Sequence, residues 1–175
     1  NMPIWNTETA VSCNTLLEDC KPLQPEKQKV LSGENSLAQG LVGNAALGVK
    51  GFVYYTWEGA ALEYGNLSLT ESNYRVPTKA SLILGTIKAW LSGSQVRYRT
   101  ANRSGLNVVE IQKGKAKSLV LWSSGAPVTF DLKEFAVGDR YMYASGGGSH
   151  SLLSTKMEVG AEPVLIFTSE NTTTH

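Results

Sequence analysis

The feature that most constrains this chain is the order of its apolar patterns before and after Ser92-Gly93-Ser94. Before that point, strand-like runs alternate with helical periodicity. After it come only short strands and turns. The apolar stretch Met2 to Thr7 suits a buried strand. A polar loop containing Cys13 and Cys20 leads to a helix predicted over Glu26 to Leu47, with Val30, Leu37, Leu41, Val42 and Ala45 along one side. Gly33 and Gly40 weaken that pattern, and Gly48 stands where a helix end needs a left-handed residue. The β-branched and aromatic run Val49 to Thr56 predicts a second strand, followed by a polar loop from Glu58 to Val76. Pro77 suits the first position of a second helix, whose face is marked by Ala80, Ile83, Leu84, Ile87 and Leu91. Strand, helix, strand, helix with long loops after each strand is the pattern of a parallel α/β sheet or barrel.

From Gln95 onward the expectation is all-β. Strands are predicted at Gln95–Thr100, Leu106–Gln112, Ser118–Ser123, Val128–Leu132, Arg140–Ala144, Leu152–Met157 and Val164–Thr168. Turn residues separate them at the intervals of a β-sandwich. Gly146-Gly147-Gly148 reads as a flexible turn; no Gly-Lys-Ser/Thr ending follows it, which argues against a phosphate loop. The fold class is therefore α/β plus all-β, with residues 1–93 as one part and 94–175 as a β-sandwich. Two βα units cannot cover both faces of their strands, and Asn1 does not read as a natural start. The expectation is that the chain belongs with an N-terminal portion, carried as a separate chain or as preceding sequence.

Composition narrows the function classes. With 42% hydrophobic and 18% charged residues, the chain has material for a sizeable core. A formal net charge of +1 offers no field for nucleic acid or an anionic membrane, so no nucleic-acid partner is expected. No apolar run approaches the roughly 20 residues of a membrane-spanning helix. Cys13 and Cys20 would close a short loop in an oxidising compartment and stay thiols elsewhere. Asn66, Asn102 and Asn171 open glycan-acceptor triplets, which matter only in a eukaryotic secretory protein. His150 and His175 are isolated and lack metal-ligand spacing, and Ser12 lacks a nucleophile-elbow pattern. No metal and no organic cofactor is implied.

The residues with chemical interest lie at the ends of the two predicted strands. Glu8, in Trp5-Asn6-Thr7-Glu8, puts a carboxylate where a barrel places its catalytic groups. A lone Glu after a strand is more often a surface or capping residue. Trp57, in Tyr54-Tyr55-Thr56-Trp57-Glu58, ends the second predicted strand and opens onto the same face as Glu8, either stacking on a sugar ring or packing against its own loop. Tyr54 and Tyr55 point to opposite faces, so one faces the interior. Asn6 can orient Glu8 or substrate by a hydrogen bond, and Glu58 suits the cleft rim. Trp122 and Tyr141 could form a sugar platform in the sandwich, with core packing the stronger reading.

Taken in order, these segments resemble the retaining glycoside hydrolases of the large (β/α)8 clan. The nearest likeness is the β-xylosidase and α-iduronidase type, with its bacterial exopolysaccharide-hydrolase relatives. Pro3-Ile4-Trp5-Asn6-Thr7-Glu8 is similar to that clan's seventh strand, and Tyr55-Thr56-Trp57 to the end of the eighth. Gly48-Val49-Lys50-Gly51, Pro77-Thr78-Lys79-Ala80 and Trp90-Leu91-Ser92-Gly93 fit the flanking segments. Leu119-Val120-Leu121-Trp122-Ser123 and Val159-Gly160-Ala161-Glu162-Pro163-Val164 resemble strands of the appended β-sandwich.

The resemblance implies the last two βα units of a barrel, with Glu8 as nucleophile. Trp57, Asn6, Tyr55 and Glu58 would contact a carbohydrate substrate, and the location would be extracellular or in the cell envelope. The clan's acid/base is a Glu after Asn at the fourth strand. This chain contains no Asn-Glu pair, so that residue is expected outside it. The alternative is a non-catalytic carbohydrate-binding or cell-surface interaction module.

Overall fold

In a computed structural model of the chain, the described residues are 4–9, 33–54, 69–70, 76–99, 105–135 and 138–167. Strand β1 (Ile4–Thr9), helix α1 (Gly33–Ala46) and strand β2 (Val49–Tyr54) follow in order, and β1 pairs with β2 in parallel. Helix α1 buries Leu37, Ala38, Leu41 and Val42, which share one face at one-turn spacing. The stretch 26–32, expected to open this helix, lies outside the described residues. The helix stops where Leu47 and Gly48 donate back to Gly43 and Ala45, with Gly48 at φ 85°. That is the left-handed position glycine fills without a Cβ clash.

Helix α2 spans Lys79–Leu91 and buries Ala80, Ile83, Ile87 and Trp90. Its start corrects the expectation for Pro77. The N-cap is Thr78, whose Oγ1 accepts the Ser81 N–H at 3.4 Å. A hydroxyl can satisfy a free helix-end donor, so the helix begins one residue beyond this cap. Pro77 precedes the cap and forms an isolated antiparallel bridge with Thr70. Among the described residues, no helix is long and apolar enough to cross a membrane.

The remaining strands are β3 (Gln95–Arg99), β4 (Leu106–Lys113), β5 (Ala116–Ser123), β6 (Val128–Asp131), β7 (Arg140–Tyr143), β8 (Gly146–Ser151), β9 (Lys156–Val159) and β10 (Val164–Phe167). Six form an antiparallel sheet in the order β3-β4-β5-β10-β7-β8, while β6 and β9 pair separately. Two expectations are corrected here. Gly146-Gly147-Gly148 is not a free turn: the turn is Ala144-Ser145, and the glycines open edge strand β8, with Tyr143 opposite Gly146. They hold φ of 89°, 95° and 86°, a backbone that only glycine adopts readily. The strand expected at Leu152–Met157 is displaced to Lys156–Val159. Ser154 Oγ accepts the Lys156 N–H, and this local turn delays the extended backbone.

The six-stranded sheet is covered on both faces. Val109, Ile111, Val120, Trp122, Leu165 and Phe167 share one core with Leu37, Leu41, Ile83, Ile87 and Trp90 of the helices. The alternate residues Leu106, Val108, Leu119, Leu121, Val164 and Ile166 pack with Phe130, Leu132 and Val159 on the β6–β9 side. Period-two alternation thus splits β4, β5 and β10 between two cores. The layers are helices, large sheet and small sheet, and the first core runs continuously across residue 93. Trp122 is 4% exposed and its ring lies 6.4 Å from that of Tyr98, so it is a core residue. Glu110 is a buried carboxylate that the apolar pattern of β4 hides. Arg97 Nε donates to it at 2.9 Å, with Arg99 at 3.5 Å, which ties edge strand β3 to β4.

Candidate active site

The two parallel strands end together. Thr9, the last residue of β1, pairs with Tyr54, the last of β2. Glu8 therefore lies in β1 one residue before that shared end, and its side chain lies outside the described part. Tyr55, Trp57 and Glu58 also lie outside the described residues, in the sequence that continues from Tyr54. Cys13 and Cys20 fall outside as well.

The β1–β2 ladder is irregular in an informative way. Ile4 pairs with Val49 but Trp5 with Gly51, so β2 has one extra residue there. Asn6 pairs with Phe52 and Thr9 with Tyr54, so between them β1 has the extra residue. An extra residue breaks alternation and re-aims the side chains that follow, and such bulges concentrate beside active sites. The irregular step falls on Thr7-Glu8.

Asn6 is held from behind. Its Nδ2 donates to Asn44 Oδ1 on α1 at 3.4 Å, and Asn44 Nδ2 donates to the Gly40 carbonyl at 2.8 Å. The structure therefore ties Asn6 to the helix layer. Asn44 itself escaped the sequence reading, because an Asn within a helical pattern reads as a solvated position. Trp5 is 60% exposed, and Ile4 and Val53 are exposed beside it. A Cβ at Gly51 would overlap the Trp5 ring, so a side chain there would have to displace that ring.

Other chemistry is sparse among the described residues. No cluster of three or more His, Cys, Asp or Glu there could hold a metal ion. His150 lies across from Tyr141 with ring centroids 5.1 Å apart, and Tyr141 meets Tyr143 edge-on at 5.6 Å. Burial, then Tyr141 and Glu162, push the Tyr143 hydroxyl above its ordinary range. A cleft of about 440 Å³ opens beside the start of β2, where Asn44, Lys50 and Gln95 line it, rather than at the Glu8 end.

Solved structures share this fold, among them two xylanases. One is a glycoside hydrolase family 30 subfamily 8 xylanase from Clostridium acetobutylicum, with a TM-score of 0.58 and 16% identity. The other is a family 30 endoxylanase from Clostridium papyrosolvens C71, with a TM-score of 0.53 and 10% identity. Each likeness covers 93% of this chain and 41% of the other, so the chain spans about two fifths of these neighbours' length. No family model matches the chain, and no curated protein matches it. At such identities the likeness is one of fold: the mixed α/β arrangement described above also occurs within glycoside hydrolase family 30 xylanases.

Proposed function

We propose that this chain is the C-terminal part of a retaining glycoside hydrolase acting on a poly- or oligosaccharide, with Glu8 as nucleophile. The observation that carries the reading is the position of Thr7-Glu8 at the shared C-terminal end of a parallel strand pair, within a fold that family 30 xylanases share. β1, α1, β2 and α2 are then the last two βα units of a (β/α)8 barrel, whose chemistry sits at the strand C-termini. The exposed Ile4, Trp5 and Val53 support this, since strands of a complete barrel would cover them. The sequence motifs favour the β-xylosidase and α-iduronidase type, and the fold neighbours favour a xylan-like polymer. Neither implies a metal or organic cofactor.

In this reading the Glu8 carboxylate attacks the anomeric carbon as the glycosidic bond breaks. A second carboxyl group about 5–5.5 Å away protonates the leaving oxygen, then activates the water that releases the sugar. That second group lies in the N-terminal portion of the barrel. Trp57 stacks on the sugar ring at the cleft, Tyr55 lines it, and Glu58 stands at its rim. Asn6 serves the site by holding β1.

The test is Glu8→Gln in the complete enzyme. Turnover should fall by roughly 10⁴-fold or more, because the amide cannot form the glycosyl-enzyme bond. A mechanism-based fluorosugar should label Glu8 and nothing else in this chain. Label on another carboxylate, or full activity in the variant, would sink the assignment. A second reading, a non-catalytic carbohydrate-binding module, is favoured by the lack of an Asn-Glu pair in this sequence. It predicts sugar binding that Glu8→Gln leaves unchanged and no turnover in the complete protein.

A further inference from the structure

We propose that Asn44 is a positioning residue for Glu8, acting through Asn6 to fix where the extra residue of β1 sits; this rests on the glycosidase reading. The Gly40 carbonyl can only accept, so it decides how the Asn44 amide is turned. The Nδ2 group faces Gly40 at 2.8 Å, and Oδ1 faces β1, where it accepts from Asn6 Nδ2 at 3.4 Å. A flipped Asn44 would oppose two carbonyl oxygens and two amino groups. The relay therefore has one arrangement, anchored on the backbone of α1.

Its position matters more than its strength. Asn6 is the last residue of β1 in register with β2 before the irregular step that contains Thr7 and Glu8. Among the described residues β1 pairs with β2 alone, with one extra residue on each strand, so regular pairing does not by itself fix where the β1 extra residue sits. A tie from the helix to the residue just before the bulge stops the extra residue from migrating toward Trp5. Such migration would move Glu8 along the strand, while most packing of α1 against the sheet would remain. A neutral hydrogen bond of this length adds little stability, whereas a reacting group misplaced by about 1 Å can cost roughly 100-fold in rate.

The experiment compares Asn44→Ala, Asn44→Asp, Asn6→Asp and the double variant Asn6→Ala/Asn44→Ala in the complete enzyme. Asn44→Ala should lower kcat by about 10–100-fold with KM unchanged, and slow fluorosugar inactivation in proportion. Asn44→Asp keeps an acceptor facing Asn6 but sets its second oxygen against the Gly40 carbonyl, so it loses the anchor and should lose rate as well. Asn6→Asp opposes two acceptors and should lose at least as much as Asn44→Ala. The double variant should be no worse than the poorer single, since both break one relay.

Unchanged kcat in a folded Asn44→Ala, a rise confined to KM, or additive losses in the double variant would overturn the proposal. So would full activity in Asn44→Asp, which has no donor for the Gly40 carbonyl. If Glu8→Gln keeps full activity, the assignment of Glu8 as nucleophile falls, a result distinct from wild-type behaviour in the Asn44 variants alone.

Discussion

Removing residues 1–93 should prevent the β-rich remainder from folding cooperatively. The large sheet presents Val109, Ile111, Val120, Trp122, Leu165 and Phe167 to the helices, each at most 9% exposed. A large apolar side chain returned fully to water costs about 1.5–3 kcal/mol. Even if neighbours on the sheet keep half of each side chain covered, the loss is on the order of 5–10 kcal/mol. Whole domains are stable by roughly 5–15 kcal/mol, so the second core alone leaves little or nothing. The assay is residues 94–175 expressed alone, followed by urea unfolding, amide dispersion and binding of a hydrophobic dye. The expected outcome is a broad transition, poor dispersion and dye binding or self-association. A monomer with a sharp transition and slow amide exchange in β4, β5 and β10 would refute the claim that helices and sheet share one core.

Two further perturbations probe single positions. Gly138 holds φ 66°, and a Cβ there would lie 2.5 Å from the Phe167 carbonyl oxygen, so Gly138→Ala should lower the unfolding free energy, measured by urea titration, by about 2 kcal/mol or more. Gly148→Ala, at φ 86° with open space around it, should cost clearly less, and equal losses would refute the steric account. Tyr143 has its hydroxyl pKa raised above 10.0 by burial, Tyr141 and Glu162, so the folded state holds that proton more tightly than the unfolded chain. Its contribution is fully present below pH 10.0 and is lost as pH rises through the folded value. Thermal midpoints should therefore fall above that pH, less steeply in Tyr143→Phe; identical slopes would remove Tyr143 as a cause.

Much of the fold was legible because the patterns obey a fixed period. Leu37, Leu41, Ile83 and Ile87 recur at one-turn spacing and are the residues α1 and α2 bury. Gly48 marks a helix end by a property only glycine has. The strands from β3 to β7, and β10, fall within a residue or two of their apolar runs. What failed to show was decided by single polar contacts or by partners far away in sequence. Thr78 took the cap from Pro77 through one hydroxyl. The three glycines from Gly146 read as a turn because their role depends on pairing with Tyr143 across Ala144-Ser145. Nothing local in β4 says that Glu110 will be buried, because its neutralising partner is Arg97 on the preceding strand.

The candidate site shows the same division. The Thr7-Glu8 pair at the end of an apolar run is visible in sequence, but simple alternation would assign Asn6 and Glu8 to one face. Asn6 is on the helix side, tied to Asn44. A nucleophile for a sugar held inside a barrel must face the other way. The extra β1 residue between Asn6 and Thr9 is the place where the chain can reverse that parity, and it becomes visible only once β1 is laid beside β2. The sequence carries the carboxylate, while its usefulness depends on a register that two strands and one helix must set together.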